Sequence, residues 1–304
     1  VSDPAPVAIA LNDEREFSVA ARSQWRTIVR RFLRHRPAMI SLFLLVSITL
    51  FVFLFPLVWE WPFTERDKAN LSKGPSWDHP FGTDELGKDG LGRVMRGTQR
   101  SLEIALIASF LITVIGVTMG AVAGYFRGWL DAILMRFTDL VLTIPLLIIV
   151  AVVSVGFPGA PWYSLPIIFG LVAWTSVARI VRAEFMSLRE KEFVEAARAV
   201  GARDRRIIFR HILPNLAGPI IVAATLSIAG TIITETALSF LGLGVQPPDV
   251  SLGYLIQSGL SAFKTRPWLF WFPSAAIIII CLCVNFIGDG LRDAFDPKQN
   301  RIKA

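Results

Sequence analysis

The chain is predicted to be an all-α polytopic membrane protein, six transmembrane helices carrying a helix-turn-helix loop on one side. Three observations predict it. Of 304 residues, 53% are hydrophobic, and the mean hydropathy is +0.55; soluble domains run at about 45–50% apolar. The excess is gathered into blocks of about twenty residues, the length a helix needs to cross roughly 30 Å of hydrocarbon. A polar gap between two of those blocks holds a small-residue helical turn, a glycine and a basic helix.

The net charge of +7 does not point to nucleic acid, because the arginines adjoin the apolar blocks, where membrane topology accounts for them. Cys281 and Cys283 lie inside the last apolar run and lack metal or disulfide spacing, so they read as small apolar fillers. No set of residues suggests a bound metal.

Residues 1–37 form an N-terminal tail. Residues 1–14 show no pattern and are expected to be disordered. From 15 to 36, Phe17, Trp25, Ile28, Val29, Phe32 and Leu33 alternate with Arg22, Arg26, Arg30, Arg31, Arg34 and Arg36, as in a helix lying on the membrane surface. The tail does not read as a cleavable signal peptide, so the first span is expected to stay as an anchor.

Six spans follow by run length, at 38–59, 101–125, 132–155, 164–183, 217–240 and 268–288. They divide the chain into a first span with its extracytoplasmic loop (38–100), a five-helix core (101–288) and a C-terminal tail (289–304). With the N-terminus inside, the cytoplasmic segments hold 22 of the 31 Lys and Arg residues, the bias the positive-inside rule requires. Both termini are therefore expected in the cytoplasm. Trp59, Trp61, Trp162, Tyr163, Trp268 and Trp271 all fall at outer span ends, where amphipathic rings settle.

The gap at 186–214 is the most informative segment. A helix over 186–200 presents Glu195, Ala196 and Ala197, a carboxylate beside a nearly flat surface that another backbone can approach. Gly201 supplies the geometry that ends a helix. Ala202 to Leu213 reads as a second, basic helix, which Pro214 is expected to end, turning the chain back to the membrane.

Read as a string, this is Glu-Ala-Ala, three residues, Gly, eleven residues, Leu-Pro. It closely resembles the EAA loop of the membrane subunits of binding-protein-dependent ABC importers. Three further strings are similar to the dipeptide and oligopeptide branch, the DppC/OppC type: His79-Pro-Phe-Gly-Thr-Asp-Glu-Leu-Gly-Lys-Asp89, Met135-Arg-Phe-Thr-Asp139, and Glu235 through Pro248. The likeness runs from about residue 30 to the end. One departure is His211, where the general motif has isoleucine.

The resemblance implies a type I-like importer fold and a non-catalytic permease subunit in a bacterial inner membrane. It implies a homologous second permease, two ATPase domains and an extracellular solute-binding protein as partners, besides the lipid bilayer. ATP and Mg would sit on the ATPase partners, with no cofactor on this chain. Glu195, Ala196, Ala197, Gly201, Leu213 and Pro214 would couple to the ATPase. Cargo would be di- or oligopeptides, although nickel, haem and glutathione importers share this permease type.

An ion-gradient-driven secondary transporter is the rival reading, but inverted repeats are not visible and Glu235 stands nearly alone among ionisable groups in the spans. An intramembrane enzyme would need a nucleophile and base at membrane depth. His35, His79 and His211 fall outside the spans, and the nearest approach to a P-loop, Gly259 to Thr265, lacks its second glycine. Two groups remain open in role. Glu235 is either a structural hydrogen-bonding group or part of a pathway or gate. Asp139 either pairs with Arg136 or Arg179 for structure or contacts the cargo. The Gly82–Asp89 segment is either a structural turn or a contact for the binding protein; it lacks the ligand spacing and terminal glutamate of a calcium loop. Pro145 is expected to kink its span, with neighbours satisfying the freed carbonyl.

Overall fold

The computed structural model describes residues 24–157 and 159–295. Residues 1–23 and 296–304, which include the expected disordered start, Phe17, Arg22 and most of the C-terminal tail, lie outside them. Among the described residues the regular structure is helical, apart from one isolated bridge between Thr83 and Asp89.

Helix α1 (Gln24–Arg34) leads through His35 into α2 (Arg36–Leu54). His35 Nδ1 accepts from the amide of Ala38 at 3.2 Å, which caps α2 and fixes the bend. After a long loop, α3 spans Gly90–Phe126, then α4 Gly128–Thr143, α5 Leu146–Gly156 and α6 Ser164–Arg189. The second predicted helix thus begins eleven residues before its apolar run. Asp89 causes this: its Oδ2 accepts from the Gly92 amide at 2.6 Å and caps the polar first turns.

Among the described residues, five helices are long and apolar enough to cross a membrane. The third predicted span is instead the pair α4 and α5, bent by 69° at a break, and counts as the sixth only if the pair is one span. Ile144 and Pro145 are both extended there. Proline has no amide to donate and pushes its predecessor out of the helical region. The Thr143 hydroxyl donates to the Leu140 carbonyl at 2.6 Å, a local partner at the broken end.

The main packing is α3 against α6. Gly116, Gly120 and Gly124 recur every fourth residue along one face of α3. A Cβ on Gly116 would lie 2.7 Å from Val177 Cβ, one on Gly120 2.5 Å from the Ala178 carbonyl oxygen, and one on Gly124 2.7 Å from that of Arg182. In a bilayer, where no hydrophobic force drives helices together, such close backbone approach is a main source of attraction. Helices α9 (Ala217–Phe240) and α11 (Trp268–Phe295) pack beside this pair, and α2 lies on α11.

One end of the bundle is closed by the loop between α2 and α3 and by α10 (Leu252–Ser261), a helix not foreseen in the 241–267 segment. In the loop, Asp89 also accepts from Trp59 Nε1 at 3.0 Å and meets His79 Nδ1 at 2.9 Å, and His79 Nε2 reaches Asp67 at 3.3 Å. Asp84 gathers the amides of Leu86 and Lys88 and binds Arg93 at 2.6 Å. These bonds fold the segment into a tight turn. Phe81 then stacks on Phe272 of α11, with ring centroids 3.9 Å apart.

Asp249, just before α10, binds Arg96 through two bonds of 2.9 and 3.1 Å and also accepts from Arg100. Arg100 in turn lies 4.1 Å from the ring centre of Trp162, so three separate segments meet at one ion cluster. Burial pushes the Asp249 carboxyl up, but hydrogen bonds from Arg96 and Arg100 outweigh it and hold it below the usual carboxylate range.

Gly120→Leu should destabilise the protein by at least about 1–3 kcal/mol, the usual cost of overpacking, seen as a lower thermal midpoint in detergent. Gly230→Ala is the contrast: its added Cβ meets nothing within 4 Å, so the midpoint should hold or rise. Asp249→Asn should cost about 1–3 kcal/mol at pH 7, because two arginines lose a charged acceptor. With its folded pKa depressed, Asp249 contributes fully above its unfolded value near 4, and the contribution fades as pH falls through the folded value. The gap between wild type and variant, read from thermal midpoints, should therefore narrow below about pH 4.

Candidate coupling knob and membrane-embedded polar groups

Opposite the α10 end, α6 stops at Arg189 and the chain re-forms as α7 (Glu192–Ala199). The predicted helix over 186–200 is therefore two helices, joined at Glu190 and Lys191. Arg127 Nη2 holds the junction, bonding Glu190 at 2.7 Å and the Met186 carbonyl at 3.0 Å.

At the end of α7, the Ala202 amide donates to the Ala197 carbonyl at 3.0 Å and the Gly201 amide to that of Arg198 at 2.9 Å. This nested pair of bonds is a Schellman motif, which needs a left-handed residue after the cap. Gly201 provides it at φ +78°, with open space where a Cβ would stand. The backbone angle is therefore what demands glycine there.

Glu195 and Ala196 are exposed on α7, whereas Ala197 is buried. With Val194, Ala197 belongs to the apolar cluster that also includes Ile207, Ile212 and Leu216. Val200, 85% exposed, and Phe209, 62% exposed, are also at the surface of this segment. These two apolar groups were not singled out from the sequence; their signal was large side chains out of phase with the buried face.

Pro214 does not end the second helix. A helical run passes unbroken from α8 (Asp204–Arg206) through α9 to Phe240, 37 residues in all. Two changes of winding admit the proline: a π turn over Ile207–Ile212 and a 3₁₀ turn over Leu213–Leu216. Pro214 then sits in the first turn of the tighter segment, where no amide is required of it. Asn215 Nδ2 donates to the His211 carbonyl at 2.6 Å in the same stretch. Leu213 is half-buried and Pro214 exposed.

The knob is tied to the bundle through Tyr125 at the end of α3. Its hydroxyl donates to Asp204 at 2.5 Å, its carbonyl accepts from Arg189 at 2.5 Å, and Arg198 lies 5.9 Å from its ring centre. Nearby, Arg182 and Asp131 form a two-bond pair at 2.5 and 2.7 Å that joins α6 to α4.

Of the two groups left open in role, Glu235 is sealed inside the chain at 1% exposure. Its carboxylate accepts from Ser239 at 2.6 Å and from Ser101 of α3 at 3.3 Å. Ser239 also meets Ser251, which caps α10 by accepting from the Tyr254 amide. The group thus ties α9 to α3 and α10. Asp139 pairs with Arg179 at 2.6 Å, and both side chains are 52% exposed. Among the described residues, no cluster of His, Cys, Asp or Glu is arranged to hold a metal ion.

Comparison with known proteins places this geometry. Residues 116–301 match the model of the binding-protein-dependent transport system inner membrane component. Residues 23–75 match the N-terminal transmembrane domain of oligopeptide transport permease C. The chain is 41% identical to the oligopeptide transport system permease protein OppC of Mycobacterium tuberculosis H37Rv, over 91% of this chain and 95% of that protein. It is 40% identical to OppC of Haemophilus influenzae, over 93% and 92%. Among solved structures, a chain of the inward-facing MetNI methionine ABC transporter shares the fold, with TM-score 0.57 and 18% identity, over 68% of this chain and 97% of that one. By sequence over most of its length and by fold over two thirds of it, the chain belongs to the family of binding-protein-dependent transport system inner membrane components.

Proposed function

We propose that this chain is the permease subunit of an ATP-driven oligopeptide importer, one half of a translocation route through a bacterial inner membrane. The observation that carries the reading is the knob: a short helix that shows Glu195 and Ala196, turned by Gly201 into a second helical run that shows Phe209 and winds on without a break into a membrane span. A surface tied this firmly to the spans is suited to pass on the motion of a partner.

In this reading both termini and the knob are cytoplasmic, and the α10 end faces outward. A second, related permease completes the route, two ATPase domains bind the knobs, and a solute-binding protein delivers cargo. Glu195 pairs with a basic residue of the ATPase, Ala196 permits close approach, and Ala197, Gly201, Leu213 and Pro214 hold the surface in shape. Hydrolysis, with its ATP and Mg, belongs to the ATPases, and this chain is non-catalytic. Oligopeptides are preferred to nickel, haem or glutathione because the relatives above are named oligopeptide permeases. Family membership sets the ion-gradient carrier aside.

The test is uptake into cells or vesicles holding the complete complex. Glu195→Arg reverses the charge at the proposed contact, and Gly201→Asp forces a side chain into a left-handed turn. Each should abolish uptake and loosen copurification of the ATPases while the chain stays in the membrane. Normal uptake in both variants would overturn the coupling role.

A further inference from the structure

The bend between α1 and α2 sits at a fixed depth. The first span runs Arg36–Leu57, 22 residues, or about 33 Å at 1.5 Å per residue, against roughly 30 Å of hydrocarbon. The fit leaves no slack, so Arg36 stands at one edge of the hydrocarbon and α1 lies just outside it, among the headgroups. Helix α1 packs near the last turns of α11. Phe32 lies 3.4 Å from where a Cβ on Gly290 would stand, and His35 Nε2 faces Asp293 at 3.5 Å. Because His35 Nδ1 accepts from the Ala38 amide, Nε2 carries the hydrogen and points it at that carboxylate. One side of α1 is therefore fastened to the protein.

Its other sides are sorted by chemistry. Going round the helix at 3.6 residues per turn, the fastened side, with Ile28 and Phe32 half-buried, gives way to an exposed apolar stripe of Val29 and Leu33. Beyond it come Arg26, Arg30 and Arg34, all exposed and spaced four apart. Helix α1 has no acidic residue. Among the described residues, none of those three arginines has a carboxylate within salt-bridge distance. The positive-inside rule accounts for arginines beside a span in any phase. It does not account for a single row of them next to an apolar stripe. Like charges four apart repel along a helix, so this row gains from an anionic partner. The depth set by α2 says which one: at the edge of the hydrocarbon, the stripe meets acyl chains and the row meets phosphates.

We propose that α1 is a docking surface for anionic phospholipid in the leaflet on the knob side, with Arg26, Arg30 and Arg34 on the headgroup phosphates and Val29 and Leu33 on the acyl chains. Arg31 and Arg36 enlarge the basic cluster, and clusters of about four to eight basic residues beside a span hold anionic headgroups. Since α1 is fastened to α11, lipid bound there steadies the ends of two spans together. The inference goes beyond the permease reading and needs only that α2 crosses the bilayer.

The experiment uses the assembled complex in nanodiscs of phosphatidylcholine, with part of it replaced by phosphatidylglycerol. On a background of Cys281→Ala and Cys283→Ala, a nitroxide is attached at Val29→Cys. Oxygen, which dissolves among acyl chains, should relax the label several-fold more than a water-soluble nickel chelate does. A label shielded from both would show that another subunit covers α1, and one reached chiefly by the chelate would place it in water; either would overturn the proposal. In parallel, native mass spectrometry reads the lipid that the complex retains. The wild type should keep phosphatidylglycerol over phosphatidylcholine several-fold, and less so as salt rises. The triple change Arg26→Gln, Arg30→Gln and Arg34→Gln should lose most of that preference, whereas lysine at the same positions, with the charge intact, should keep it. Equal retention in the wild type and the glutamine variant, or displacement of the lipid by inorganic phosphate at matched ionic strength, would overturn the assignment to lipid.

Discussion

The close approach of α3 and α6 is the constraint on which the rest of this structure depends. Three glycines on one face of α3 let the two backbones meet at distances no side chain tolerates. That contact sets the relative height of the two helices. It thereby puts Tyr125 within reach of Asp204 and Arg189 at one end and Arg100 over Trp162 at the other. In a membrane, where apolar surface gains little by being hidden from apolar lipid, such geometric fit carries the energy that a hydrophobic core supplies in water.

The polar groups are distributed accordingly. At the α10 end, ions and caps are concentrated where water and headgroups screen them: Asp89 with His79 and Trp59, Asp84 with Arg93, and Asp249 with its two arginines. Inside, Glu235 is closed in by serines from three helices. These sites join elements far apart in sequence, which is why the end of the bundle is a defined surface and not a set of independent loops.

Much of this was legible in the sequence, for physical reasons. Run length found the spans because hydrocarbon thickness fixes helix length. Gly201 was readable because one backbone angle demands it. That Asp139 takes a basic partner was readable too, because charges in a span need partners, but the choice of Arg179 over Arg136 came only from the structure. What was missed depended on local chemistry that overrides composition. Asp89 extends α3 into a polar stretch by capping it. Pro145, expected to kink its span, breaks it with a bend of 69°, while Pro214, expected to end a helix, breaks nothing, since the winding changes around it. No single-residue propensity separates those two prolines. The spacing of Gly116, Gly120 and Gly124 was a plain signal for the α3–α6 seam, overshadowed by the stronger string at 195–214.

The unbroken winding from Asp204 to Phe240 has a mechanical consequence. Thirty-seven residues of helix make a beam of about 55 Å at 1.5 Å per residue. It is tied to one helix near both ends, by Asp204 on Tyr125 of α3 and by Glu235 on Ser101 of α3. Two ties on one partner fix the tilt of the beam against α3. The pair therefore behaves as a truss, and a force at one end is carried along both members to the other.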